Sequence, residues 1–115
     1  MEHEKKLERN RGNYFFIMRV YLKVHSTPRF ETIACCDETL LNKVFKQGNL
    51  KIEITERFYG GTLMQIEEAI DILLKSSFFN IVGNNIIDLA ITHGIVPKEG
   101  VQLINGVPMA MKMMF

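Results

Sequence analysis

The chain has 115 residues, 47% of them apolar and 23% charged, which is the composition of one globular domain. Fourteen Lys and Arg residues stand against thirteen Asp and Glu residues, so the net charge is +1. This balance excludes the strongly basic composition of many nucleic-acid-binding proteins. No apolar run reaches the ~20 residues of a membrane-spanning helix, and we expect no signal peptide at the charged N-terminus.

Charge is spread unevenly along the chain. Residues 14–59 hold seven cations against five carboxylates, whereas residues 60–115 hold three against five. This asymmetry fits either an ordinary solvated surface or one cationic face for an anionic partner. The adjacent Cys35 and Cys36 would point to opposite faces of a strand and rarely form a disulfide, so we expect reduced thiols and a cytoplasmic protein.

The first half of the chain predicts a tail, two strands and a helix. Residues 1–13 form the flexible charged tail, and residues 14–115 form a single domain. Apolar alternation predicts a long strand over 14–24, and a second strand follows over about 30–36 after a proline turn. Asp37 then caps a helix over about 38–47, which ends at a glycine.

The middle of the chain predicts a strand followed by a helix. Residues 50–55 alternate between apolar and polar side chains, as in a half-exposed antiparallel strand. Thr62 and Gln65 have the spacing of a capping box, and the residues that follow show the clearest 3.6-residue apolar period in the chain.

The last third ends in a hairpin. Residues 78–82 are short and apolar, which fits either a buried strand or a connection between helices. A third helix begins near Asn84. Asn105-Gly106 is the signature of a type I′ turn, and Pro108 would lie opposite Leu103 in a pair without hydrogen bonds, so it costs the hairpin no bond. Its other side should then be unpaired at a sheet edge or bulged.

These elements have the order ββαβα(β)αββ, which predicts an α+β fold. We expect a small two-layer domain in which three helices pack against a mixed or antiparallel sheet of about five strands, with the hairpin at the C-terminus.

The sequence points to no metal site, because its cysteines and histidines lack metal-ligand spacing. It also points to no catalytic residue and no cofactor. A helix after Cys36 would lower the pKa of that thiol, but Asp37 opposes the shift. A small core thiol is the alternative. An enzyme with a site near Cys36, Asp37 and Tyr59 is therefore the third functional hypothesis.

Two features fit an anionic partner. Gly60-Gly61 before a helix would leave backbone amides free for an anion, unless the glycines only form a tight turn. Arg19, Tyr21 and Lys23 alternate on one strand face, as in single-stranded RNA platforms, although an ordinary amphipathic strand has the same pattern. The RNA- and anion-binding candidates are Arg19, Tyr21, Lys23, Arg29, Lys43, Lys46, Lys51, Arg57, Tyr59, Gly60 and Gly61.

Four segments resemble motifs of one archaeal family, domain of unknown function 424. Residues 36–45 resemble its C-D-E-x-L-L-G-K-x-F segment, residues 58–61 its F-Y-G-G, residues 80–83 its N-[LI]-V-G and residues 106–108 its G-V-P. The family-motif positions are Cys36, Asp37, Leu40, Leu41, Lys43, Phe58, Tyr59, Gly60, Gly61, Val82, Gly83, Gly106, Val107 and Pro108.

Two positions depart from the family pattern. Asn42 replaces a glycine, and Met109 stands where a histidine is expected, which argues against catalysis at that position. The resemblance implies an archaeal cytoplasmic protein with no established activity and a link to RNA or translation.

The first hypothesis is therefore a non-enzymatic RNA-associated protein, such as a small ribosome- or translation-associated factor. Its partners would be RNA, including ribosomal RNA, and ribosomal or translation proteins, with no membrane and no DNA specificity. The second hypothesis is a protein-interaction module or homo-oligomer that uses the Met-rich C-terminal edge, residues 109–115. The oligomeric state stays open.

Overall fold

The computed structural model describes residues 6–10 and 13–113, and the side chains from Met18 onward. A mixed six-stranded sheet forms its centre. Within this sheet one neighbouring pair, β4 (Glu31–Asp37) and β8 (Phe78–Val82), is parallel, and the other pairs are antiparallel. In spatial order the strands are β7 (Thr62–Gln65), β3 (Arg19–Ser26), β4 (Glu31–Asp37), β8 (Phe78–Val82), β10 (Val107–Lys112) and β9 (Gln102–Ile104).

Two hairpins and three helices complete the described chain. The hairpins are β1 (Lys6–Asn10) with β2 (Asn13–Ile17) and β5 (Val44–Gln47) with β6 (Leu50–Glu53). The helices are α1 (Glu56–Tyr59), α2 (Ile66–Leu74) and α3 (Asn84–Thr92), and 3-10 turns occupy Glu38–Leu40 and Lys98–Gly100.

The sheet is covered on both faces. On one face α2 and α3 bury a first core that includes Val20, Leu22 and Ile81. On the other face the segment from the first 3-10 turn to α1 buries a second core, which includes Ile54 and Val82. The α+β prediction is confirmed, with its mixed sheet and C-terminal hairpin, and the helices number three, although α1 is not among those predicted. The sheet has six strands rather than about five, and the additional cover makes three layers rather than two.

The helix predicted over 38–47 is wrong. After one 3-10 turn the chain forms the β5–β6 hairpin, whose two-residue loop is Gly48-Asn49. Gly48 has φ 61°, which suits the first position of a type II′ turn. Asn42, with φ 71°, lies in the left-handed region that glycine and asparagine tolerate best. Its conformation explains how asparagine can replace the family's glycine.

The strand predicted over 14–24 is interrupted. The chain leaves β2 at Ile17 and begins β3 at Arg19, and the Met18 carbonyl between them accepts a hydrogen bond from the Ile66 amide at 2.9 Å. Part of the predicted tail, Lys6–Asn10, is a strand paired with β2. Residues 1–5, 11 and 12 lie outside the described residues, and the flexibility of the segment stays a prediction.

The capping box before α2 lies three residues later than predicted. Gln65 and Glu68 form it, with the Gln65 amide donating to Glu68 Oε1 at 3.2 Å. Thr62–Gln65 is strand β7 instead.

The C-terminal elements follow the sequence closely. Residues 78–82 are a strand, which decides between the two alternatives left open there. Asn105 and Gly106 both have positive φ, at 51° and 81°, as a type I′ turn requires. Pro108 lies opposite Leu103, and its carbonyl accepts from the Gly83 amide at 2.9 Å, where β8 gives way to α3. The missing proline N–H therefore falls where the β8–β10 ladder ends.

Asp37 caps a different helix from the predicted one. It ends β4, and its carboxylate accepts from the amides of Asn85 at 2.9 Å and Ile86 at 3.0 Å, in the first turn of α3. Only 5% of Asp37 is exposed. Gly83 has φ 127°, and a Cβ at this position would collide with the Asp37 carboxylate. Glycine is needed there for both its conformation and its size.

We expect Gly83→Ala to destabilise the fold by about 3 kcal/mol, because the methyl group adds a collision with the Asp37 carboxylate to the cost of positive φ. Gly94→Ala is the matched control, since Gly94 also has positive φ but a Cβ there meets nothing within 4 Å. The control should cost about 1 kcal/mol. Urea unfolding measures both free energies, and equal losses would contradict the role of the Asp37 contact.

Candidate functional site

The family-motif residues meet at a structural junction. Cys36 and Val82 are paired neighbours on the parallel strands β4 and β8. Tyr59 packs in the same core cluster, is 3% exposed, and donates its hydroxyl proton to Asn80 Oδ1 at 2.6 Å. Together with the Asp37 cap, these contacts link the ends of β4 and β8 to α1 and α3. The motifs therefore hold the second core in place.

The two glycines of the F-Y-G-G motif do not present free amides. Gly60 donates to the Glu56 carbonyl at 2.7 Å, and Gly61 donates to the Tyr59 carbonyl at 2.9 Å. A Cβ on Gly61 would collide with the Leu22 carbonyl of β3. Gly61 allows the chain between α1 and β7 to pass close to β3, and Gly60 fits against Glu56 at the end of α1, so the tight-turn alternative describes them and the anion-donor prediction does not.

The alternating face of β3 is covered as well. The Arg19 guanidinium binds the Glu38 carboxylate through two hydrogen bonds, of 3.1 and 2.8 Å. Lys23 Nζ donates to the Arg57 carbonyl at 2.7 Å, and Tyr21 is half-buried against the second core. These three side chains hold the covering segment on the sheet, and they do not form the open platform that their spacing predicts.

The two cysteines are buried thiols. Cys35 lies in the first core and Cys36 in the second, so they point to opposite faces of β4 as expected, and both are free. Burial, with a smaller contribution from Asp37, raises the pKa of Cys36 to about 12, and burial also raises the pKa of Cys35. A neutral, enclosed thiol is a poor nucleophile.

Tyr59, which belongs to the proposed enzyme site, and His25, which lies in β3, both have structural contacts. Burial raises the pKa of the Tyr59 hydroxyl, which therefore stays protonated. His25 Nε2 lies 2.8 Å from the Phe58 carbonyl oxygen, and the two rings stack at 4.7 Å. Among residues 6–10 and 13–113, no group of three His, Cys, Asp or Glu residues is arranged to hold a metal ion. The geometry around Cys36 thus lacks an activated nucleophile.

Four exposed cations lie in the covering segment. Phe45 and Ile52 are paired in the β5–β6 hairpin and contact the second core, so the next pair, Lys46 and Lys51, lies on the outward face. Lys51 also forms a salt bridge with Glu53, at 2.9 Å. The covering segment, residues 38–61, contains four cations, Lys43, Lys46, Lys51 and Arg57, and three carboxylates, Glu38, Glu53 and Glu56. All four cations are exposed.

The opposite layer is acidic. Helices α2 and α3 contain four carboxylates and no Lys or Arg; the carboxylates are Glu67, Glu68, Asp71 and Asp88. The sheet separates this layer from the basic hairpin layer. The asymmetry along the sequence is therefore an asymmetry between two faces of the molecule.

The Met-rich end is mostly an interior strand. β10 is paired with β8 on one side and β9 on the other, and Met109 is buried in the second core. Met111 and Met113 are exposed, whereas Met114 and Phe115 lie outside the described residues. The predicted Met-rich edge is therefore reduced to two side chains in the described part of the chain.

The fold and these surfaces define an α+β protein built on a mixed sheet with one parallel pair. The chain belongs to the family described as Protein of unknown function (DUF424), whose model matches residues 25–114. It is similar to the crystal structure of an uncharacterized conserved protein from Methanopyrus kandleri. The two are 24% identical with a TM-score of 0.67, and the match covers 81% of this chain and 89% of that chain. No curated protein matches this chain.

The family resemblance of the motifs is thus confirmed, and the similar crystal structure shows the same fold. Within the described residues, none of the helices has the length and apolar character needed to cross a membrane.

For three side chains the sequence gives no sign of their contacts, because the partners lie far away in the chain. Glu38 binds Arg19, Asn80 accepts from Tyr59, and Gln47 accepts from the Asn105 amide. The dipeptide Gly48-Asn49 was the available signal for the hairpin that carries the lysines, because Gly-Asn between two alternating runs is typical of a two-residue turn.

We expect both thiols to resist alkylation in the folded protein, since iodoacetamide needs an exposed thiolate. At mildly alkaline pH the rate should be at least about 100-fold slower than in the urea-unfolded chain. Mass spectrometry of timed samples measures it. Rapid modification of Cys36 without unfolding would contradict this expectation and support the enzyme hypothesis.

The buried Cys36 thiol should also make the fold sensitive to alkali. Because its pKa rises from 9.0 to about 12, its contribution to stability is complete below pH 9.0 and disappears as the pH rises to about 12. We expect the free energy of unfolding to decline less steeply over this range in Cys36→Ala than in the unaltered protein. Urea titrations at several pH values measure both slopes, and equal slopes would contradict the shift.

Proposed function

We propose that this is a non-enzymatic RNA-associated protein that contacts phosphates through the outward face of its β5–β6 hairpin. The observation that carries the proposal is the direct cross-strand pairing of Lys46 with Lys51. Like charges placed opposite each other destabilise a hairpin. The Glu53 carboxylate, 2.9 Å from Lys51 Nζ, offsets part of that repulsion, and a phosphate bound between the two ammonium groups would relieve the rest.

The layered charge supports the same surface. The covering segment, residues 38–61, carries four cations and three carboxylates, whereas helices α2 and α3 on the far side of the sheet carry four carboxylates and no Lys or Arg. A polyanion would therefore be attracted to one side of the molecule and repelled from the other. This asymmetry orients the protein on its partner although the net charge of the chain is only +1.

Binding through this surface depends on phosphates rather than bases. Tyr59 is buried and Tyr21 packs against the second core, so neither ring offers a free face for stacking. Four exposed cations, Lys43, Lys46, Lys51 and Arg57, set the upper limit on phosphate contacts. Such an interface is weak, sensitive to salt and largely indifferent to sequence.

A weak phosphate-binding face suits a protein that sits within a larger particle. Neighbouring contacts there raise the effective concentration and supply the remaining affinity. This reasoning favours a ribosome- or translation-associated factor that binds ribosomal RNA among other partners. The two free thiols fit a reducing cytoplasm.

The proposal is tested by the salt dependence of binding to a single-stranded RNA. We expect log Kd to vary linearly with log salt, with a slope of about 3 if all four cations contribute. The double variant Lys46→Gln/Lys51→Gln should weaken binding and lower the slope by about 1.4, since two phosphate contacts are lost. Fluorescence anisotropy at several salt concentrations measures both.

The matched control is Lys98→Gln/Lys112→Gln, which removes two exposed cations outside the hairpin layer. It should leave the slope nearly unchanged. A slope near zero in the unaltered protein would overturn RNA binding, and equal losses in the two double variants would show that the hairpin is not its site.

A further inference from the structure

A cleft of about 350 Å³ opens at the end of the sheet where β4 and β8 begin. These strands are parallel, and Thr32 lies opposite Phe78, so both strands start at the same edge. The cleft lies between the turn before β4 and residues 75–77, which connect α2 to β8. Asp37 and its helix cap lie at the other end of the same two strands.

Two aromatic rings form one wall of the cleft. Phe30 and Phe78 meet edge to face, with centroids 5.2 Å apart and an interplanar angle of 66°, and both are half-buried. Thr27 orders the turn that carries Phe30, because its Oγ1 accepts from the amides of Arg29 at 3.2 Å and Phe30 at 3.1 Å. The wall is therefore held in place before any ligand arrives.

Charged groups surround the aromatic wall. Arg29 and Lys75 line the cleft and are exposed, and neither forms an ion pair within the described part of the chain. Glu31 lines the same cleft and also lacks an ion pair among those residues. Ser77 adds a hydroxyl group. The cleft thus combines two cations, one carboxylate and a hydroxyl beside two rings.

We propose that this cleft binds a nucleoside monophosphate. Arg29 and Lys75 bind the phosphate, because guanidinium and ammonium groups form charge-assisted hydrogen bonds with its oxygens. The base packs against Phe30 and Phe78. The Glu31 carboxylate accepts hydrogen bonds from ribose hydroxyls, a role that acidic residues have in dinucleotide sites.

The size of the cleft and the chemistry of its lining support this ligand class. The cleft volume falls within the range of roughly 300–1,000 Å³ that small-molecule sites occupy. Inorganic phosphate alone would leave the aromatic wall unused, and an uncharged nucleoside would leave the two cations unused. The site is separate from the hairpin lysines, so it stands whether or not those lysines bind RNA.

The test is a titration of ¹⁵N-labelled protein with AMP, adenosine and inorganic phosphate, followed by amide chemical shifts. We expect AMP to shift the amides of residues 29–31 and 75–78 and to bind more tightly than either fragment. Arg29→Gln should lower AMP affinity about tenfold, which is the usual effect of losing one charge-assisted hydrogen bond. Phe78→Leu should lower the affinity for AMP and adenosine but not for phosphate.

Lys98→Gln is the matched control, because this exposed lysine does not line the cleft, and it should leave AMP affinity unchanged. Arg29 is exposed, so its substitution tests the site even if Phe78→Leu impairs folding. Absence of shifts at millimolar AMP would overturn the proposal. Equal affinities for phosphate and AMP, or an Arg29→Gln variant that binds AMP normally, would also overturn it. None of these outcomes depends on the salt slope of RNA binding.

Discussion

The carboxylate of Asp37, held on the first turn of α3, is the contact on which the arrangement of the fold depends. It joins the end of β4 to a helix that begins 47 residues later, through hydrogen bonds to the amides of Asn85 and Ile86. The backbone of Gly83 lies against this carboxylate, and the Gly83 amide donates to the Pro108 carbonyl. The C-D-E, N-I-V-G and G-V-P motifs are therefore one structural unit.

The same contact bears on where function can lie. In sheets with parallel strands, ligands commonly bind beyond the carboxyl ends of the strands, and anions commonly bind at helix N-termini. Both features meet here at the ends of β4 and β8, but the chain's own carboxylate already occupies the place of an anionic ligand. The two proposed binding surfaces therefore lie elsewhere, at the outward face of the β5–β6 hairpin and at the opposite ends of the two parallel strands.

Local patterns predicted the elements whose structure is local. The apolar period over α2 and the Asn105-Gly106 turn were sufficient for a helix and a hairpin. The helix predicted over 38–47 is wrong because the spacing of Leu40, Leu41, Val44 and Phe45 also fits the apolar face of a helix. The hairpin forms instead because it packs on the second core, whose residues come from strands distant in the chain. The Asp37 cap and the Arg19–Glu38 pair join residues 48 and 19 positions apart, beyond the reach of any local pattern.

The second core also determines which of the candidate site residues stay accessible to a partner. From the sequence, Tyr59 and the two glycines after it could stack on a base and bind a phosphate of RNA. In the structure the Tyr59 ring is buried in the core, and the two glycine amides donate to backbone carbonyls of the same chain. The lysines stay on the surface, because burying an unpaired ammonium group has a large cost in free energy. Covering the sheet with residues 38–61 therefore moved the aromatic groups inward and left the cations on the outer surface. A chain with a net charge of +1 obtains a basic face in this way, by the sorting of its side chains between two layers.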